Sequence, residues 1–244
     1  MKVLPWRAEI EYRHHSYFSW GWDKQENYSG NIVPMPSPLL ARFKNKHNQK
    51  KAVLLMVGTA AYPYLFRLSS GQHAVQIMKY RKEKVSFIRN LDIDVFRALL
   101  YRPYLNEAAV LNDLSYIENK FPGIAICSSN FHKEMLNCKL LILDHPGTTL
   151  CIAMAANVPT ICFWDKNHWV MSKQAKPYFE AMKEVGMFFE SGKSAADKVN
   201  EIWNDVKSWW SISDIQKARK DFCEKQANTS KYWRFKWAKE LWKL

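Results

Sequence analysis

The residues best suited to chemistry in this chain follow an apolar run. Residues 140–143 (Leu-Leu-Ile-Leu) stop at Asp144-His145-Pro146-Gly147, and Thr148-Thr149 opens the next segment. Gly147, Thr148 and Thr149 combine backbone N–H groups, hydroxyls and the positive end of a helix dipole, a set that binds phosphate. The same three residues also suit an ordinary turn in which Thr148 or Thr149 N-caps a helix. Arg67 and Arg102 each follow a predicted strand, where a planar guanidinium can hold phosphate oxygens at two points, although both also suit a plain surface arginine. Asp144 and His145 sit at the same edge. The pair can orient a sugar or the loop, with the imidazole as general base; an Asp in such a loop can equally serve as a cap.

Other reactive arrangements are missing from the sequence. The seven His are scattered, His14-His15 is adjacent rather than at ligand spacing, and there is no H-E-x-x-H, C-x-x-C or paired-acid cluster, so no metal is expected. There is no G-x-G-x-x-G, Walker A or G-x-S-x-G, and only eight Gly, which argues against a dehydrogenase, a kinase and a hydrolase. Five Cys, at 127, 138, 151, 162 and 223, fall mostly in or beside apolar runs, as buried free thiols do.

These candidates need a frame to hold them. A helix is predicted over 148–156, broken by Asn157-Val158-Pro159 before a second buried strand at 160–164. Upstream, strands at 51–58, 95–101 and 124–127 alternate with helices at 72–91, 106–119 and 131–138; the first of these helices carries Val75, Met78, Val85, Ile88 and Leu91 at mostly helical spacing. Downstream come a helix at 173–185, an apolar piece at 187–189, and helices at 194–203, 213–227 and 231–241. Such alternation predicts an α/β fold: a Rossmann-like, doubly wound parallel sheet with right-handed crossovers and C-terminal helices. All strand carboxyl ends then share one edge, where Asp144 to Thr149 lies. Three units are expected. Residues 1–47, with Pro34, Pro36 and Pro38, read as a linker or crossover segment, 48–205 as the Rossmann-like domain, and 206–244 as basic, aromatic helices.

The chain carries 36 basic against 23 acidic residues, a net charge of +13, which favours anionic partners. From Ile215 onward nine Lys or Arg face three acids and are interleaved with Trp233, Trp237 and Trp242. That composition suits a solvated helix with a packing stripe, a membrane-interface helix or a single-strand nucleic-acid groove. No apolar run is long enough to span a bilayer and no signal-peptide core is visible, so a cytoplasmic protein is expected.

Asp-His-Pro-Gly-Thr-Thr at 144–149, Ala-Ala-Asn-Val-Pro-Thr-Ile at 155–161 and Phe-Trp-Asp at 163–165 resemble the C-terminal half of GT-B glycosyltransferases, in particular a bacterial family of surface-polysaccharide (O-antigen type) transferases. Ala175 to Phe179, Trp209-Trp210, Gln216 to Arg219, Tyr64 to Ser70 and Ser19 to Trp22 extend the likeness over most of the chain. The resemblance implies a nucleotide-sugar donor as substrate, no cofactor, and a GT-B C-terminal domain whose acceptor-side first domain is missing or separately encoded. It also implies lipopolysaccharide or O-antigen biosynthesis, with peripheral contact at the inner face of the membrane; no nucleic-acid partner is expected. Such families place a Glu on the first turns of the helix after the Thr pair, where this chain has Ile152, so the carboxylate that meets the donor's ribose is absent. A non-catalytic module that binds a nucleotide-sugar or an anionic surface is the alternative.

Overall fold

A computed structural model describes residues 16–24, 30–59, 74–104, 111–169 and 171–243, the side chains of 74 and 75 excepted. Strand β1 (Tyr17–Ser19) pairs in parallel with β2 (Ile32–Pro34), apart from the main sheet. That sheet comprises β3 (Leu54–Val57), β4 (Leu99–Arg102), β5 (Ala125–Ile126), β6 (Leu140–Leu143), β7 (Thr160–Phe163) and β8 (Phe188–Phe189). All its pairings are parallel, in the order β5-β4-β3-β6-β7-β8. Counted from β3 this is 3-2-1-4-5-6, the doubly wound Rossmann order, and it reverses between β3 and β6. The three central strands β3, β6 and β7 are buried at every position, because helices cover both faces of the sheet.

Helix Ala74–Arg89 packs its inner face with Ile77, Tyr80, Lys84, Phe87 and Ile88, whereas Met78 is exposed. Of the apolar positions expected on this helix, Val85 and Ile88 are buried in the core and Leu91 packs against it, and among the described side chains Met78 alone is turned outward. The inner face runs at i, i+3, i+7, i+10 and i+11, and two of its members are a tyrosine and a lysine that an apolar pattern does not count. The strand expected at 95–101 is also revised. Helix Ile93–Arg97 precedes β4, with Asp94 in its first turn, favourably placed against the helix dipole. Residues 105–110, the start of the helix expected at 106–119, lie outside the described residues; Asp113–Lys120 is helical, with the Asn112 side chain accepting from the Ser115 N–H.

The stretch expected as a linker is packed where it is described. Ser37 caps the short helix Pro38–Ala41, and the N–H groups of Asn45 and His47 donate to Ala155 and Ala156 at 2.9 and 3.0 Å. Asn48 and Lys50 donate likewise to Leu136 and Asn137, both at 3.0 Å. This belt satisfies carbonyls that two helices would otherwise leave open at their ends. Helix Ser213–Gln226 completes the job: buried Arg219 donates from Nη1 to the Met154 carbonyl at 2.8 Å. The same helix docks through Phe222, whose ring meets Phe179 at 5.7 Å, and Phe179 in turn meets Phe188 of β8 at 6.3 Å. Asn157, at φ 64°, ends helix Thr148–Ala156 in the left-handed conformation, and its Oδ1 accepts from Trp210 Nε1 at 2.9 Å.

Candidate functional site at the sheet's carboxyl edge

In doubly wound sheets ligands bind outside the strand carboxyl ends where the order reverses, here between β3 and β6. β3 delivers Gly58 and Thr59 to that point, and β6 delivers Asp144 and His145. Gly147 is the N-cap of helix Thr148–Ala156 and makes no side-chain cap bond. The expectation that Thr148 or Thr149 caps this helix is thus corrected: both lie inside its first turn. Thr148 is exposed and Thr149 half-buried. With the opposite end of the helix met by Arg219, Asn45 and His47, and the Leu150 N–H donating to Gly147 O at 3.0 Å, the N–H groups of Thr148 and Thr149 are the ones left open in its first turn among the described residues.

His145 lies over that terminus. Its Nδ1 is 2.9 Å from Asp144 Oδ1, so this nitrogen carries the proton that the carboxylate accepts, which leaves Nε2 as the ring nitrogen facing away from the carboxylate. A Cβ at Gly147 would come within 3.1 Å of His145 Cδ2 and Nε2, so the glycine leaves the space in which the ring sits.

Asp144 has no exposed surface, and both its oxygens are engaged. Oδ2 accepts from Tyr80 Oη at 2.7 Å and stands 3.2 Å from Lys84 Nζ. Lys84 is equally buried; it also donates to Asp113 and, at 3.1 Å, to Tyr101 Oη. Tyr101 Oη donates to Asp113 Oδ2 at 2.6 Å, and Arg81 Nε pairs with Asp113 Oδ1 at 3.2 Å. Two cations and two carboxylates thus balance, with two phenols filling the remaining hydrogen-bond positions. Gly58 makes room above them, since a Cβ there would stand 2.9 Å from Tyr101 Oη and 3.0 Å from Lys84 Nζ. Burial by itself would push the Lys84 ammonium down, but Tyr101, Tyr80, Asp144 and Asp113 outweigh it and hold the group well above its ordinary value. Burial would likewise raise the Asp144 carboxyl, yet Lys84, His145 and Tyr80 keep it below the usual range. Burial drives both phenols up, so they remain donors.

Sequence reasoning missed this cluster, although one signal was available. Lys84 stands seven residues after Ile77 on the inward face of its helix, and a lysine at a core-facing position needs buried acids. On the far side of β6, Asp165 follows β7 and accepts from Lys79 at 2.5 Å, with His168 Nε2 at 3.7 Å. The Trp169 ring centroid is 6.5 Å from that of His145.

Arg102 ends β4 on the opposite flank. Its Nη1 donates to Ser129 O at 2.7 Å and Cys127 O at 3.1 Å, tying β4 to the end of β5. It lines a cavity of about 280 Å³ with Thr59, Tyr104, Asn112, Asp113 and Ser128. Among the described residues none of its hydrogen bonds reaches the 144–149 loop. Arg67 lies outside the described residues. Ile152, at the position where the resembling family carries Glu, is 5% exposed and belongs to the hydrophobic core. Among the described residues no three His, Cys, Asp or Glu side chains are grouped to hold a metal ion.

A model of the LIC12162 family of transferases matches residues 3–241. The chain belongs to that family. No curated protein matches the chain. Among solved structures, a variant of TarM from S. aureus in complex with fondaparinux, α-GlcNAc-glycerol and UDP aligns at 14% identity and a TM-score of 0.43, over 86% of this chain and 39% of that one. A variant of the wall teichoic acid polymerase TagF aligns at 13% identity and a TM-score of 0.38, over 88% of this chain and 54% of that one. This chain therefore spans about two fifths and about half of the lengths of those two proteins.

Proposed function

We propose that this transferase chain is the donor-binding half of a GT-B-type glycosyltransferase, and that its substrate is a nucleotide-sugar. The observation that carries the reading is the open first turn of helix Thr148–Ala156, placed at the reversal of the sheet order and roofed by an imidazole that Asp144 orients. The donor's diphosphate would lie across the N–H groups of that turn and the Thr148 and Thr149 hydroxyls. As the sugar's anomeric carbon–oxygen bond breaks, its electron pair passes to the leaving diphosphate, and the helix terminus stabilises the charge as it develops. In this reading a metal is not needed. His145 is the catalytic residue, touching the donor through Nε2. Asp144 is a positioning residue, because it has no surface of its own and acts through the ring it orients. Arg102 would add positive charge from the β4 flank, and Arg67 stays a second candidate cation on its sequence position alone.

The acceptor hydroxyl would be supplied and deprotonated in a first domain beyond this chain, within assembly of a bacterial cell-surface polysaccharide of the O-antigen class on the cytoplasmic side of the membrane. Calorimetric titration with nucleoside diphosphates and the matching nucleosides tests the site. Replacing Thr148 and Thr149 together by Val should weaken diphosphate binding by about tenfold or more, since each hydrogen bond to a charged oxygen is worth about 1.5–3 kcal/mol. Nucleoside binding and stability should hardly change, because neither hydroxyl caps the helix. Equal diphosphate affinity in the wild type and the double variant, or binding of no nucleoside diphosphate at all, would remove the loop from the site.

A further inference from the structure

Among the described residues, helix Trp233–Leu241 is fastened to the body on one side. Trp237 Nε1 donates to the Pro36 carbonyl at 2.9 Å, and its ring meets Phe18 edge-on at 4.9 Å. Trp233, Trp237 and Glu240 form this half-buried face. The opposite side carries Phe235, 71% exposed, and Trp242, 90% exposed. Seven residues separate them, which places both rings in one line, about 10 Å apart along the axis. Leu241 and Tyr232, 51% and 60% exposed, widen the patch. Around it stand Lys231, Arg234, Lys236, Lys239 and Lys243, all exposed, against the single acid Glu240, which is already paired with Lys243 at 2.7 Å.

We infer that this face is a docking surface for an anionic lipid bilayer. The helix would lie in the plane of the interface, with Phe235 and Trp242 at the boundary of headgroups and acyl chains and the lysines on the phosphates. Two observations choose this occupant over a protein. Aromatic anchors ringed by lysine and arginine are the composition of an in-plane interfacial helix, and each cation gains from an anionic surface. Lysine is depleted at protein–protein interfaces, where closing a partner over this patch would strip water from several ammonium groups at once. Among the described residues no helix is long and apolar enough to cross a membrane, so the contact proposed is one of lying on the surface. The inference stands apart from the donor site, and its failure would leave that reading untouched.

Sedimentation of the full chain with vesicles tests it, using phosphatidylcholine alone and phosphatidylcholine with about one third phosphatidylglycerol. The chain should pellet with the anionic vesicles at low salt, far less with the neutral ones, and progressively less as salt is raised. Phe235→Ser with Trp242→Ser, which keeps every cation, should lower partitioning at least about tenfold, as should Lys231→Gln with Lys239→Gln, which keeps every ring. Because all four residues are exposed, circular dichroism and the melting temperature should not change. Absence of binding to anionic vesicles, or unchanged partitioning of the Phe235→Ser/Trp242→Ser variant, overturns the inference. So does self-association of the wild type that this variant abolishes, which would assign the face to a second copy of the chain.

Discussion

Replacing Lys84 by Met probes the buried cluster beneath the site most directly. The side chain has no exposure, and Met fills much of the same volume, so the change chiefly removes the ammonium from between Asp113 and Asp144. Breaking a buried ion pair costs about 3–5 kcal/mol because it strands a charge. Here each carboxylate keeps other partners: Asp113 retains Arg81 and Tyr101, and Asp144 retains Tyr80 and His145. The lower end, about 3 kcal/mol, is therefore expected, which at about 2–4 °C per kcal/mol for a chain of this length lowers Tm by roughly 6–12 °C. Urea denaturation should show a lower midpoint at an unchanged slope. The loss should also depend on pH with a definite sign. In the variant the stranded carboxyl has a folded pKa above its unfolded one, so the penalty is full at neutral pH and shrinks as pH falls toward about 5. Asp144→Asn added to Lys84→Met should cost less than the two single changes together, since the second removes the charge stranded by the first. A loss below about 1 kcal/mol that is independent of pH and additive with Asp144→Asn would refute the account of Lys84 as the counter-charge of the site.

Two further outcomes are expected. Ile152→Glu, which places a carboxylate where the resembling family has one, should destabilise the chain by about 3 kcal/mol or more in the same denaturation assay, because the position lies in the core; a stability equal to wild type would show that this side chain can reach solvent. His47, whose Nε2 is 2.9 Å from the Cys138 carbonyl, has its pKa lowered by burial, with that bond opposing. Folding therefore favours its neutral form, and the stability it contributes is complete above the unfolded pKa near 6.5 and is lost as pH falls from there through the lower folded pKa. Stability measured at both ends of that window should fall with pH by less in His47→Asn than in the wild type.

Local pattern by itself determined the central architecture. The runs at β3, β6 and β7 are apolar without alternation, as strands covered on both faces must be, and Asn157-Val158-Pro159 has to end a helix because Pro cannot continue one. Those features place the Asp144 to Thr149 turn at the carboxyl edge with no knowledge of the rest of the molecule. They did not reveal what surrounds it. The partners of Asp144 come from positions 80, 84 and 145, and those of Lys84 from 101, 113 and 144, so the cluster forms only once β4, β6 and two helices are stacked in the 3-2-1-4-5-6 order. Periodicity scores apolar character, and a buried lysine contributes nothing to it until its counter-charges are known. The capping of helix Thr148–Ala156 shows the same division. A threonine pair after a glycine reads as a cap, yet the helix begins at Thr148, and the carbonyls at its far end are met by Asn45, His47 and Arg219. Arg219 is 65 residues from the carbonyl it meets. A hydrogen bond across such a separation has no local signature, because only the packing of helix Ser213–Gln226 against the domain brings its two groups together.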